Sequence, residues 1–148
     1  MPQHSSTVYF SQRLRSQGLK ATPARIAVLA LLARSGQPLT VEEIRNQLGK
    51  DSGDQATVYR MMHTFVSGGL VRTVDFQHGH VHYELSGETE HHHLVCSACG
   101  LVEDVEGCDL AQEYTNVLKR HPKFKTIDRH SFELFGICTS CERNASKS

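Results

Sequence analysis

The chain has 148 residues, 39% hydrophobic and 22% charged, with 16 Lys and Arg balanced by 16 Asp and Glu. These proportions fit a soluble globular protein of one ordinary domain or two small ones, and they exclude collagen, a long disordered tail and a membrane-coating basic peptide. The longest apolar run, Ile26 to Ala33, is far short of a bilayer span, and the polar start Met1-Pro2-Gln3-His4-Ser5 carries no secretory signal, so a cytoplasmic protein is expected. The neutral total hides an asymmetry. From Met1 to Leu85 nine Lys and Arg stand against six Asp and Glu, and from Ser86 to Ser148 seven stand against ten.

The first half reads as helices followed by a hairpin. A short amphipathic helix around Tyr9 to Gln17 ends at Gly18. Thr22 then caps a helix with Pro23 in its first position, and Ile26, Leu29, Ala30, Leu32 and Ala33 give it an apolar stripe until Gly36 and Pro38 stop it. Thr40-Val41-Glu42-Glu43 is a capping box for a helix through Ile44 and Leu48. After a loop from Gly49 to Gly53, a fourth helix runs from about Asp54 to Val66 with Val58, Met61, Met62 and Phe65 inward. Its Thr57, Arg60 and Thr64 face outward, with Tyr59 and His63 at the margin. Two strands, Leu70 to Phe76 and Val81 to Leu85, flank the turn Gln77-His78-Gly79-His80.

That order is the order of a winged helix-turn-helix, in which the last helix before the hairpin enters the DNA major groove. Arg60 suits a guanine or a phosphate, while Tyr59 and Thr57 suit thymine methyls and backbone oxygens. Helical periodicity alone describes an ordinary solvated helix equally well. The basic half and the hairpin favour DNA.

The second half carries metal chemistry. Cys96-Ser97-Ala98-Cys99 and Cys138-Thr139-Ser140-Cys141 are paired knuckles, and four converging thiolates complete a closed tetrahedral zinc site. Disulfides are disfavoured without export, and a thioredoxin-like redox pair does not explain two knuckles. Cys108 lies outside both pairs. The run Glu90-His91-His92-His93-Leu94-Val95-Cys96 reads as a strand, so His91 and His93 share one face and His92 the other. The same alternation puts His80, His82 and Glu84 on one face of the earlier strand, with Val81, Tyr83 and Leu85 buried behind. Asp104 falls in the strand after the first knuckle. Imidazole nitrogens with carboxylate oxygens suit zinc, iron, manganese or nickel as divalent ions.

The elements Gly18 to Arg25, Ala56-Thr57-Val58-Tyr59-Arg60, His91 to Gly100, His130-Ser131-Phe132 and the Cys138/Cys141 pair give the chain a resemblance to the ferric uptake regulator family of metal-dependent transcriptional repressors. The resemblance implies an α+β protein with a winged-helix DNA-binding domain over residues 1–85, a hinge over 86–90 and a small α/β metal-binding dimerisation domain over 91–148. It implies a homodimer that binds a palindromic operator when metal-loaded and controls genes of metal uptake or homeostasis. By motif position, Cys96, Cys99, Cys138 and Cys141 match a structural zinc site. Glu84, His91, His93 and Asp104 match a regulatory site, and His92 with His130 match a third site whose usual helix carboxylate is replaced here by Ala111.

Neither subfamily pattern of regulatory ligands is complete. Pro38 stands where iron- and peroxide-sensing members place a histidine, and Ser86 stands near the position of a cysteine in zinc-sensing members. His82 is the substitute ligand expected here, with His80 a poorer one, and a peroxide-sensing regulator of the same family is an alternative. His82-Tyr83-Glu84 with Cys96-x-x-Cys99 also resembles part of the zinc deaminase signature, but Val95 replaces its proline and Cys138 and Cys141 stay unexplained. A zinc-ribbon interaction module without DNA binding is the closer rival, and no enzyme activity is expected.

Overall fold

In the computed structural model, residues 7–87, 91–107, 109–128 and 130–145 are described. They fall into two compact units divided between Gly87 and Glu88. Residues 88–90 of the expected hinge and Cys108 lie outside the described residues.

Three helices of the first unit begin where a side chain satisfies free backbone N–H groups. Helix α1 spans Thr7–Ser16 and α2 spans Pro23–Ser35, whose first turn is capped by the Thr22 hydroxyl accepting from the Arg25 N–H. Gly36 closes α2 at φ 65°, a left-handed conformation that glycine adopts without strain. Helix α3, Val41–Leu48, carries both halves of its capping box. The Glu43 N–H donates to Thr40 Oγ1 at 3.2 Å and the Thr40 N–H donates to Glu43 Oε2 at 2.7 Å. The segment expected as an open loop instead forms a 3-10 turn, Gly49–Ser52, fastened by the buried Ser52 hydroxyl donating to the Gly49 carbonyl at 2.9 Å. Helix α4, Gln55–Ser67, follows. Strands β1, Val71–Asp75, and β2, Val81–Leu85, form an antiparallel hairpin with Arg72 opposite Glu84.

One core fills this unit. Phe10 and Leu14 of α1, Ile44 of α3, and Val58, Met62 and Phe65 of α4 are all sealed from solvent. Helix α2 departs from the one-sided stripe read in its sequence: Val28 and Leu31 are buried beside Leu29 and Leu32, because the helix packs against α1, α3 and β2 at once. The hairpin departs too. Val81, expected inward, is 51% exposed beside the turn, whereas Tyr83 is buried.

In the second unit β3, His91–Cys96, pairs antiparallel with β4, Val102–Glu106. Helix α5, Ala111–Arg120, leads round to β5, Leu134–Gly136, which pairs parallel to the other edge of β3, and α6, Thr139–Ala145, closes the chain. The sheet order is therefore β4-β3-β5. The parallel pairing sets Cys96 opposite Gly136 and delivers Cys138 to the end of β3.

Candidate metal centres and nucleic-acid interface

The four thiols converge because β3 and β5 end side by side. Their sulfur atoms all lie within 4.8 Å of one another and none is in a disulfide. Cys99 and Cys138 Sγ are 3.8 Å apart, the separation expected of two sulfurs about 2.3 Å from one tetrahedral zinc. The Cys138 N–H, which donates to Cys96 Sγ at 3.3 Å, together with the backbone of Cys99 and Ala98, brings the Cys96 thiol down to about 6. Cys141 is pushed the other way, to about 12, first by its hydrogen bond with the Cys138 thiol and then by that with Cys99. The backbone thus favours the thiolate at Cys96, while hydrogen bonding among the clustered thiols favours a retained proton at Cys141. A divalent cation at the centre resolves that conflict, so the donor set fits zinc.

The second cluster grows from the alternation of β3. His91 and His93 project to the same face with ring centroids 5.2 Å apart. His93 is opposite Asp104 across β3 and β4, and its Nε2 lies 3.8 Å from Asp104 Oδ1. On the other side of the ring, Glu133 Oε2 accepts from both the backbone N–H and Nδ1 of His93, each at 3.0 Å. His92 turns to the opposite face, stacks on Phe132 at 3.8 Å between centroids and donates through Nδ1 to the Phe132 carbonyl. Its Nε2 stands 2.8 Å from His130 Nε2, and His130 Nδ1 bonds the Tyr114 hydroxyl. His91, His93 and Asp104 are thus brought together, as are His92 and His130.

Glu84 and His82 belong to the first unit. Glu84 is buried in β2 and accepts from Arg72 Nε. The His82 ring lies 4.7 Å from that of Phe76, and among the described residues its buried Nδ1 has no hydrogen-bond partner. Burial holds the imidazole below its ordinary pKa, against the opposing influence of Glu43. His80 is exposed in the turn.

Helix α4 is set at its first turn. Asp54 Oδ1 accepts the Thr57 N–H at 2.7 Å, and Gly53, at φ 90°, leaves room where a Cβ would lie 3.0 Å from Thr57 Cγ2. Arg60 is exposed and reaches back to donate to Thr57 Oγ1 at 3.2 Å. Tyr59, read as marginal, is 50% exposed, and His63 is exposed as well, while Thr57 and Thr64 are half-buried. An Arg, a Tyr and two hydroxyls along one helix are chemistry that base edges and phosphates accept.

Residues 16–135 match the model of the Ferric uptake regulator family. The chain belongs to that family. The ferric uptake regulation protein of Legionella pneumophila is 38% identical over 136 residues, covering 89% of this chain and 98% of that protein. The crystal structure of the Vibrio cholerae ferric uptake regulator, described as revealing a rearrangement of its DNA-binding domains, is similar with a TM-score of 0.69 and 30% identity, over 86% of this chain and 98% of that one. The Helicobacter pylori ferric uptake regulator, described as having three functional metal-binding sites, is similar with a TM-score of 0.75 and 25% identity, over 96% of this chain and 97% of that one. Ferric uptake regulator proteins are metal-responsive regulators of gene expression rather than enzymes, so this member is a metal-responsive regulator. No helix among the described residues is long and apolar enough to cross a membrane.

Sequence reasoning passed over Glu133, Tyr114 and Arg72, which hold His93, His130 and Glu84. The signal for Glu133 was a carboxylate set alone in the apolar run Phe132-Glu133-Leu134-Phe135.

Proposed function

We propose that the chain is a cytoplasmic, DNA-binding transcriptional repressor of metal uptake or homeostasis genes that grips a palindromic operator as a metal-loaded homodimer. The observation that carries this reading is the antiparallel register of β3 and β4, which sets His93 against Asp104 beside His91 in a member of a metal-responsive family. On this reading residues 1–85 bind DNA, 86–90 form the hinge, and 91–148 bind metal and dimerise. Glu84 joins His91, His93 and Asp104 as regulatory donors, and His82, whose buried Nδ1 has no hydrogen-bond partner among the described residues, is the further donor to test. Cys96, Cys99, Cys138 and Cys141 hold structural zinc, leaving no open position for catalysis. His92 and His130 are the pair that would hold an accessory ion, with Tyr114 at its edge instead of a carboxylate.

Exposed Leu94, Phe132, Leu134, Phe135 and Ile137 support self-association, since these large apolar side chains are left uncovered in the protomer. Thr57, Tyr59 and Arg60 of α4 read or grip the duplex. A bound divalent cation supplies one centre of charge for donors from both units. Glu84 on the DNA-binding side and His91, His93 and Asp104 on the other then restrict the relative positions of the two recognition helices. Without that shared ligation, a minor fraction of dimers has the operator spacing.

The test is metal analysis of the purified protein paired with binding to a pool of palindromic duplexes across zinc, iron, manganese and nickel. DNA should be retained when a second ion is bound beside the thiolate zinc. His91→Ala and His93→Ala should lose metal-dependent binding with that zinc retained, and His92→Ala should have a milder effect. Arg60→Ala should weaken DNA binding by about 1–3 kcal/mol at unchanged metal content. Binding indifferent to the second ion would remove the metal-responsive part, and no duplex binding with any ion would favour an interaction module.

A further inference from the structure

We infer that Glu133 is a positioning residue for the regulatory metal: it fixes the tautomer of His93 so that Nε2 presents its lone pair beside Asp104. This inference rests on the reading of His93 as a regulatory ligand. The parallel register that sets Leu134 against Leu94 also brings Glu133 alongside His93. There one carboxylate oxygen, Oε2, accepts from the backbone N–H and from the ring Nδ1 of the same histidine, both at 3.0 Å. A carboxylate has no hydrogen to give, so Nδ1 must donate, and a neutral imidazole that donates at Nδ1 has its lone pair at Nε2.

That second nitrogen faces Asp104 Oδ1 at 3.8 Å. The separation is too long for a hydrogen bond, yet it fits two donors each about 2.0–2.2 Å from a shared ion. The His93 side chain is 1% exposed, so bulk water does not set its ring orientation. Gripping backbone and ring together, Glu133 fixes both the rotation of the imidazole and the identity of the donor nitrogen before any ion arrives. Such carboxylate–histidine pairs also raise the basicity of the ligating nitrogen, and losing the carboxylate lowers metal affinity by roughly 10–100-fold.

The experiment uses the full chain with zinc already on its thiolates and follows uptake of cobalt(II) by visible absorption in competition with a chelator. Glu133→Ala should weaken this second-ion binding by roughly 10–100-fold. Glu133→Gln, whose amide oxygen can still accept from the His93 N–H, should fold as wild type and lose less. Nitrogen-15 NMR of the cobalt-free protein should show His93 as the Nδ1–H form in wild type and a shift away from that form in Glu133→Ala. A merely structural role would instead lower zinc retention and thermal stability, with the His93 tautomer and the cobalt affinity of folded protein unchanged. If His93→Ala loses cobalt while both Glu133 variants bind it like wild type, the positioning role is overturned and the regulatory site stands. If wild type takes up no second ion, or His93→Ala takes up as much as wild type, the regulatory reading falls and the inference with it.

Discussion

The two units of this regulator are built on opposite principles. In the first, side chains from four helices and the hairpin, Phe10, Leu14, Val28, Ile44, Met62, Phe65 and Val71 among them, pack into one continuous apolar core. In the second, the buried apolar residues among those described are Val95 and Cys96, joined by the polar His92 and His93. Helix α5 buries none of its described residues, while Leu94, Leu101, Phe132, Leu134, Phe135 and Ile137 stay exposed. The hydrophobic effect is the main support of the first unit. On the proposed reading the second draws its stability from thiolate ligation of zinc, strand pairing and whatever covers its apolar surface.

The cysteines separate the two units most sharply. Cys96→Ser should abolish zinc binding, worth on the order of 10–16 kcal/mol in small four-ligand sites, and unfold the second unit while the first keeps its amide protection. Segment-resolved hydrogen exchange with zinc analysis checks this, and an intact second unit without zinc would overturn the contrast. Phe65→Ala is the reciprocal change. It should cost the first unit about 3–5 kcal/mol in denaturant unfolding and leave zinc content as it was. Leu134→Glu, at an exposed apolar position of β5, should change protomer stability by no more than about 0.5 kcal/mol yet shift the proposed homodimer toward monomer in sedimentation.

The smallest effect concerns pH. The Thr57 hydroxyl, followed by its backbone N–H, holds the Asp54 carboxyl below its ordinary value, so the unfolded chain binds the proton more readily than the folded one. Its contribution is therefore complete above about pH 4 and fades as the pH falls through the folded value. Exchange of the first-turn amides of α4 should quicken over that range. Asp54→Asn, which keeps the acceptor, should flatten the dependence.

Local chemistry was legible in the sequence, and so was the one long-range placement with a motif of its own, the convergence of the two Cys-x-x-Cys pairs; the remaining long-range contacts were not. Thr22 before Pro23, the Thr40/Glu43 box and Asp54 before α4 act within one helical turn, so their spacing alone announced them. The split of His91 and His93 from His92 follows from strand alternation in the same way. The parallel addition of β5 to β3 joins residues 40 apart and has no local signature, so the partnership of Glu133 with His93 emerged in the fold, whereas the pairing of His92 with His130 was implied by the family resemblance alone. Val81 failed for a related reason: alternation assigns a face, but whether that face is covered depends on what packs there.

Leu39, just ahead of α3, donates its N–H to the Tyr83 carbonyl and accepts the Tyr83 N–H, both at 2.8 Å. This one-residue bridge stitches the free edge of the hairpin to the start of the helix-turn-helix. A bending of β2 is therefore passed to α3 through main-chain bonds, which stretch far less than side-chain packing can slide. It also occupies the Tyr83 backbone groups that would otherwise be open to strand addition at that edge of the hairpin.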